Sequence, residues 1–232
     1  MIEGAEKIFE YLPIEKDKAY LDFLWETCEC NFEKEKYQFS YLAYHMLFMM
    51  FVYFSIWKIK TVRPECFYKA LIGFGNDIEK KFIDAITPFD FSELKERSML
   101  RFLKLVGFNN GHIGLWGKII DDRNKMAHSN GHIYLKSEEQ LREYVEKILK
   151  CIDDIQCSMK DVVQAVFEKA LRDEDESFEH FQQILLFENY FSKQDMGSCL
   201  DFDFNIVVVR GRKRLMEQIR KQQNDMYAVG NE

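Results

Sequence analysis

A mainly α-helical fold is what this sequence predicts, for three reasons. Only 3 prolines and 11 glycines interrupt 232 residues, so long stretches run without the residues that punctuate turns. Apolar side chains recur at helical spacing, most cleanly at Leu141, Tyr144, Val145, Ile148, Leu149, Ile152 and Ile155. A hydrophobic fraction of 47% beside 31% charged residues suits a globular chain that buries a real core.

In chain order, a first helix is expected over Asp17 to Cys28, where Tyr20, Leu21, Leu24 and Trp25 make one apolar face. A long helix is expected from about Glu35 to Ile59, with Pro64 just beyond its end. Within it, Gln38 to Trp57 carries no formal charge and is long enough to span a bilayer. Its Gln38, Ser40, His45, Ser55 and tyrosines favour a buried central helix, with no membrane partner. Short helices follow over 66–72 and 77–86, then one from Ser92, a plausible N-cap, to Leu105.

Gly107 to Gly114 reads as a loop, and a helix from Leu115 to Ala127 or His128 is stopped by Asn130-Gly131. Ser137 and Gln140 form a capping box for the clean amphipathic helix, which extends towards Leu171. Another helix is expected over Phe178 to Tyr190. The tail changes character: Asn205 to Val209 is a β-branched run of strand type, followed by Arg210-Gly211-Arg212-Lys213-Arg214 and a polar helix to about Asn224. The organisation is therefore a helical domain over 1–194 and a strand-plus-helix appendage over 195–232.

The net charge of −7 argues against a general nucleic-acid coat, since phosphate affinity comes largely from Lys and Arg. It leaves room for an RNA enzyme with a locally positive cleft. Six cysteines without a Cys-x-x-Cys pair give no zinc-ribbon spacing, and free thiols in a reducing cytoplasm are expected.

The chemistry concentrates in Arg123-Asn124-Lys125-Met126-Ala127-His128. Arg followed by His at this spacing is common by chance, but Asn directly after the Arg and Ala directly before the His make it far rarer. The string also ends one helix just before a second, long amphipathic one. Here the chain resembles the HEPN family, in its ribonuclease branch with an R-N-x-x-x-H core, which includes toxins, abortive-infection nucleases and RNA-guided CRISPR ribonucleases. The resemblance covers Gly111 to Ile155 best. It implies an antiparallel helical bundle, a homodimer with a composite site at its interface, and a role in phage defence or a toxin system. An antitoxin or an activating protein is a further implied partner.

The residue types fit metal-independent cleavage of RNA, tRNA or another single strand, with no cofactor. The 2′-OH attacks the adjacent phosphorus, which calls for a base, an acid and positive charge on the equatorial oxygens. Histidine exchanges protons near neutral pH, which suits His128 to base or acid. Arg123 forks onto phosphate oxygens, and Asn124 orients His128 or the phosphate. On a regular helix Asn124 and His128 share a face, with Arg123 about 100° round.

Lys125, His112 in the glycine-rich loop, and Arg210, Arg212, Lys213 and Arg214 are the expected RNA contacts. The basic run reads equally well as a solvated helix start or a subunit contact. A bland reading of the motif also exists: His128 caps a helix, where its charge offsets the dipole, and Arg123 pairs with Asp121 or Asp122. His128 and His132, four apart, are separated by a turn, so no metal site is expected. His45 reads as a satisfied core residue. One departure from the family concerns toxins paired with nucleotidyltransferase antitoxins, which usually carry Tyr two residues after the motif His. Here that residue is Asn130, which puts silencing by nucleotide transfer in doubt.

Overall fold

The computed structural model describes residues 2–172 and 178–200 and the single position 217. Among them the chain is mainly α: α1 (Ile14–Glu33), α2 (Tyr37–Val62), α3 (Pro64–Ala70), α4 (Asn76–Asp84), α5 (Glu96–Met99), α6 (Asn110–Ala127), α7 (Glu138–Leu171), α8 (Phe178–Gln182) and α9 (Lys193–Leu200). Short 3-10 turns cover Ala5–Glu10, Pro88–Glu93 and Leu100–Val106. No strand occurs among the described residues, only an isolated bridge between Ile72 and Phe74.

The uncharged segment is the central helix. Every residue of α2 from Leu47 to Ile56 is buried, and ten consecutive residues cover the whole circumference of a helix. A helix apolar all round needs neighbours on every side. α1, α7, α6 and the turn at Pro88–Glu93 supply them. α1 folds back on α2 through a three-residue connection, in which Glu35 takes a left-handed φ of 56°. α7 lays its periodic apolar stripe, Leu141 through Leu171, against the core. Where α3 and α4 meet it, the same core is built from rings: Phe102 lies 5.0 Å from Phe67 and 4.9 Å from Phe82.

Several expectations are corrected by local chemistry. The loop expected over 107–114 holds only for 107–109, and 110–114 open α6, because the Asn109 side chain accepts from the backbone N–H of Gly111 and His112 and so caps the helix earlier. The helix expected from Ser92 is broken into turns. Its cap is Thr87 with Asp90, and Ser92 sits inside the turn at Pro88–Glu93. The helix expected over 178–190 is α8 followed by a π turn, Gln183–Glu188. There Asn189 bonds the Ile184 carbonyl with both its backbone N–H and its side-chain amide, widening the turn.

The expected boundary between 194 and 195 falls inside α9. Asp195 is buried, its carboxylate 2.6 Å from Lys58 Nζ and 2.9 Å from Gln156 Nε2. The expected strand at 205–209, the basic run and the polar helix lie outside the described residues.

Candidate functional site

The Arg-to-His string occupies the last turn and a half of α6. His128 is the C-cap residue and is exposed. Its φ of −87° keeps its Cβ near the helical course, on the face of half-buried Asn124, while its ψ of 142° turns the chain out of the helix.

The turn that follows is tied down on both sides of His128. Gln38, from the first turn of α2, donates to the Met126 carbonyl at 2.9 Å and accepts from the Tyr134 N–H at 2.8 Å. The Asn130 amide donates to the Lys125 carbonyl and to the Tyr134 hydroxyl, each at 2.9 Å, and its oxygen accepts from the His132 N–H at 3.1 Å. Two last-turn carbonyls of α6 thus find side-chain donors, as a helix end requires. Gly131 completes the turn with φ of 77°, a left-handed conformation that costs a glycine nothing. Asn130-Gly131 acts as foreseen from its turn chemistry, but by reaching back to a helix that ends three residues earlier.

Arg123 points towards the body. Its Nη2 donates to Glu96 Oε1 at the start of α5, and Glu96 Oε2 lies 3.1 Å from Nε2 of fully buried His45. Burial acts to raise the Glu96 carboxyl, but His45 and Arg123 outweigh it and hold it below the ordinary value. Burial pushes the His45 imidazole down, against the pull of Glu96. A neutral His45 with its proton on Nε2 donates to Glu96 and leaves Nδ1 as a bare acceptor. Arg123 Nε is likewise buried without a partner. A guanidinium has five N–H donors, so Glu96 fixes Arg123 and leaves donors for a further anion.

Neither Asp121 nor Asp122 takes Arg123, as the bland reading had it. Asp121 accepts from Arg97 at 2.6 Å and Asp122 from Lys125 at 3.0 Å. Gly117 eases the first pair, because a Cβ there would lie 3.2 Å from the Arg97 guanidinium and push it by a few tenths of an ångström. Arg97, Arg123 and Lys125 are each matched by a carboxylate, so this end of α6 is a set of ion pairs rather than an open positive cleft.

His112, expected as an RNA contact in a loop, instead lies in the first turn of α6, away from the motif. It caps the opposite end of α6, with Nδ1 2.9 Å from Asn109 Oδ1, and sixteen residues of helix separate it from His128 by roughly 24 Å. Arg210, Arg212, Lys213 and Arg214 lie outside the described residues. His132 and His128 belong to no group of three possible metal ligands among the described residues.

Sequence reasoning missed Glu96 and Gln38, which lie 27 and 88 residues from the groups they hold. The one available signal was His45, a lone imidazole in an uncharged apolar stretch, which had to find a polar partner. No protein-family model, no curated protein and no solved structure matches the chain.

Proposed function

We propose that this protein is a metal-independent endoribonuclease of the HEPN kind, working as a homodimer with Arg123, Asn124 and His128 at the dyad, in defence or as a toxin. One observation carries the reading. The motif's histidine stands exposed at a helix end anchored through the Lys125 and Met126 carbonyls and through Asn130, and the motif's arginine is held in place by Glu96. Transition-state stabilisation needs groups whose positions are fixed before the substrate arrives.

In the reaction His128 of one copy takes the proton of the RNA 2′-OH. O2′ attacks phosphorus and the bond to O5′ breaks. His128 of a second copy gives a proton to O5′, and a 2′,3′-cyclic phosphate remains. Arg123 donates to the equatorial oxygens and Asn124 holds the histidine or the phosphate. A single chain supplies one such histidine, so the chemistry requires the second copy. Phe39, Ile133 and Tyr134 expose apolar surface on the elements next to His128, which supports that arrangement.

A second reading, a non-catalytic HEPN-type module that binds RNA, a nucleotide or a partner protein, draws support from the Arg123–Glu96–His45 network, which stabilises the body whether or not phosphate binds. Incubating labelled tRNA and total RNA in EDTA with the wild type, Arg123→Ala and His128→Ala separates the two. The nuclease reading expects cleavage with cyclic-phosphate ends by the wild type alone, and an intact His128→Ala dimer. Retained cutting by folded His128→Ala would sink it. Binding without cutting, insensitive to His128, is the outcome for the module.

A further inference from the structure

A cavity of about 500 Å³ opens between α1, α2 and the turn at Pro88–Glu93, on the side of α2 that faces α1. Its walls are mostly apolar: Met46, Met49 and Met50 from α2, and the rings of Tyr20 and Phe89. Two carboxylates reach it, Glu96 and Asp17. Glu96 is already matched by Arg123 and His45. Asp17 is half-buried, and only the charge of neighbouring Lys16 offsets its own. Its Oδ2 is buried without a hydrogen-bond partner, at a kink in α1 where φ is −118°. The adjacent cation looks away, since Lys16 Nζ donates to the Phe187 carbonyl and the Tyr190 hydroxyl, both at 2.8 Å.

A carboxylate oxygen shut off from water with no hydrogen-bond donor is costly, and natural interiors rarely keep one without a reason. We infer that this cavity is a binding site for a small organic monocation, a primary amine on an aromatic body, with Asp17 taking the ammonium. One uncommitted carboxylate calls for one positive charge. The body must be largely apolar, because the other polar groups of the wall are neutral hydroxyls, those of Ser92, Tyr20 and Tyr53. Tyr20 and Phe89 already meet edge to face, with centroids 6.1 Å apart, so a guest ring would join an existing aromatic pair. Methionine side chains adapt to an aromatic guest and make favourable sulfur contacts with it. The volume lies within the range of about 300–1,000 Å³ usual for small-molecule sites. The site does not depend on whether the protein cuts RNA.

The test is calorimetric titration of the full chain with phenethylamine in roughly 0.15 M salt, where weak surface attraction is screened. Saturable one-to-one binding is expected. Asp17→Asn is expected to fold at least as stably as the wild type, since it removes an unmatched charge, and to bind at least about tenfold more weakly. Met46→Lys, at the exposed mouth, is expected to abolish binding by placing a resident ammonium there. 3-Phenylpropionate, with the same body and the opposite charge, is expected not to bind. Absence of saturable heat, equal affinity in Asp17→Asn, or equal binding of the acid overturns the assignment. Tighter binding of the capped dipeptide acetyl-Phe-Lys-amide than of phenethylamine overturns it too, in favour of a lysine on a partner protein.

Discussion

At Glu96 one carboxylate holds two basic side chains from two different helices, and it sits where the motif meets the core. Replacing it with Gln keeps an acceptor but leaves Arg123 without its counter-charge. Arg123 is partly exposed and regains some water, so Glu96→Gln is expected to cost roughly 1–3 kcal/mol, read as a shift in the denaturant midpoint, and to lower cleavage where cleavage is seen. The same network sets an acid limit. His45, depressed from 6.5, refuses in the folded state a proton that the unfolded chain accepts. Stability is therefore complete above about pH 6.5 and falls as the pH drops towards the folded value. Glu96, depressed from 4.5, adds a second loss below that pH. His45→Gln is expected to flatten the fall between about pH 6.5 and 4.5 and to shrink the loss below it to the part that Arg123 sustains, as measured by urea titrations from about pH 7 down to below pH 4.5. At this scale the motif was legible because its residues are contiguous. Glu96 was not, because nothing in local spacing tells a carboxylate which arginine it will meet.

Among the elements, α6 shows what periodicity reads and what it passes over. From Leu115 onward it was anticipated, and that stretch carries Trp116, Ile119, Ile120 and Met126 inward. Its first turn looked like a loop, because Asn109-Asn110-Gly111 has turn chemistry. A single Asn at the cap settles the matter the other way, since its side-chain oxygen satisfies two N–H groups that a loop would leave to water. Gln38 belongs to this scale as well, since it joins the start of α2 to the end of α6. Gln38→Ala removes two hydrogen bonds and is expected to cost about 1–2 kcal/mol, with the Tyr134 amide losing protection from hydrogen exchange. If cleavage depends on where His128 stands, the same variant should slow it without altering RNA binding in proportion.

For the molecule as a whole, the central helix was legible in advance, because twenty uncharged residues studded with tyrosines and serines have to be wrapped by protein or by lipid. Here protein wraps them: 17 of the 26 residues of α2 are buried. Truncating its middle, as in Phe48→Ala, is expected to cost about 3–5 kcal/mol and to lower the melting temperature accordingly, while the exposed neighbour Met46→Ala should cost well under half of that. The order of packing around α2 was not legible. Whether a given neighbour is α1, α7 or a 3-10 turn depends on long-range contacts that a single periodic pattern does not encode.

The ion pair between Lys58 and Asp195 has a practical consequence for anyone who shortens this chain. A polypeptide ended at residue 194 would keep the ammonium of Lys58 deep beside Phe191 with its anion deleted. Such a cation must shed its proton or drag water inward, and either course loosens the seam between α2 and α7. A trimmed version ending at 194 should therefore precipitate or be cut rapidly by trypsin near Lys58, whereas one ending at or after Leu200 should resist. In the trimmed version Lys58→Met should restore that resistance, because it replaces the stranded charge with an apolar side chain of similar length.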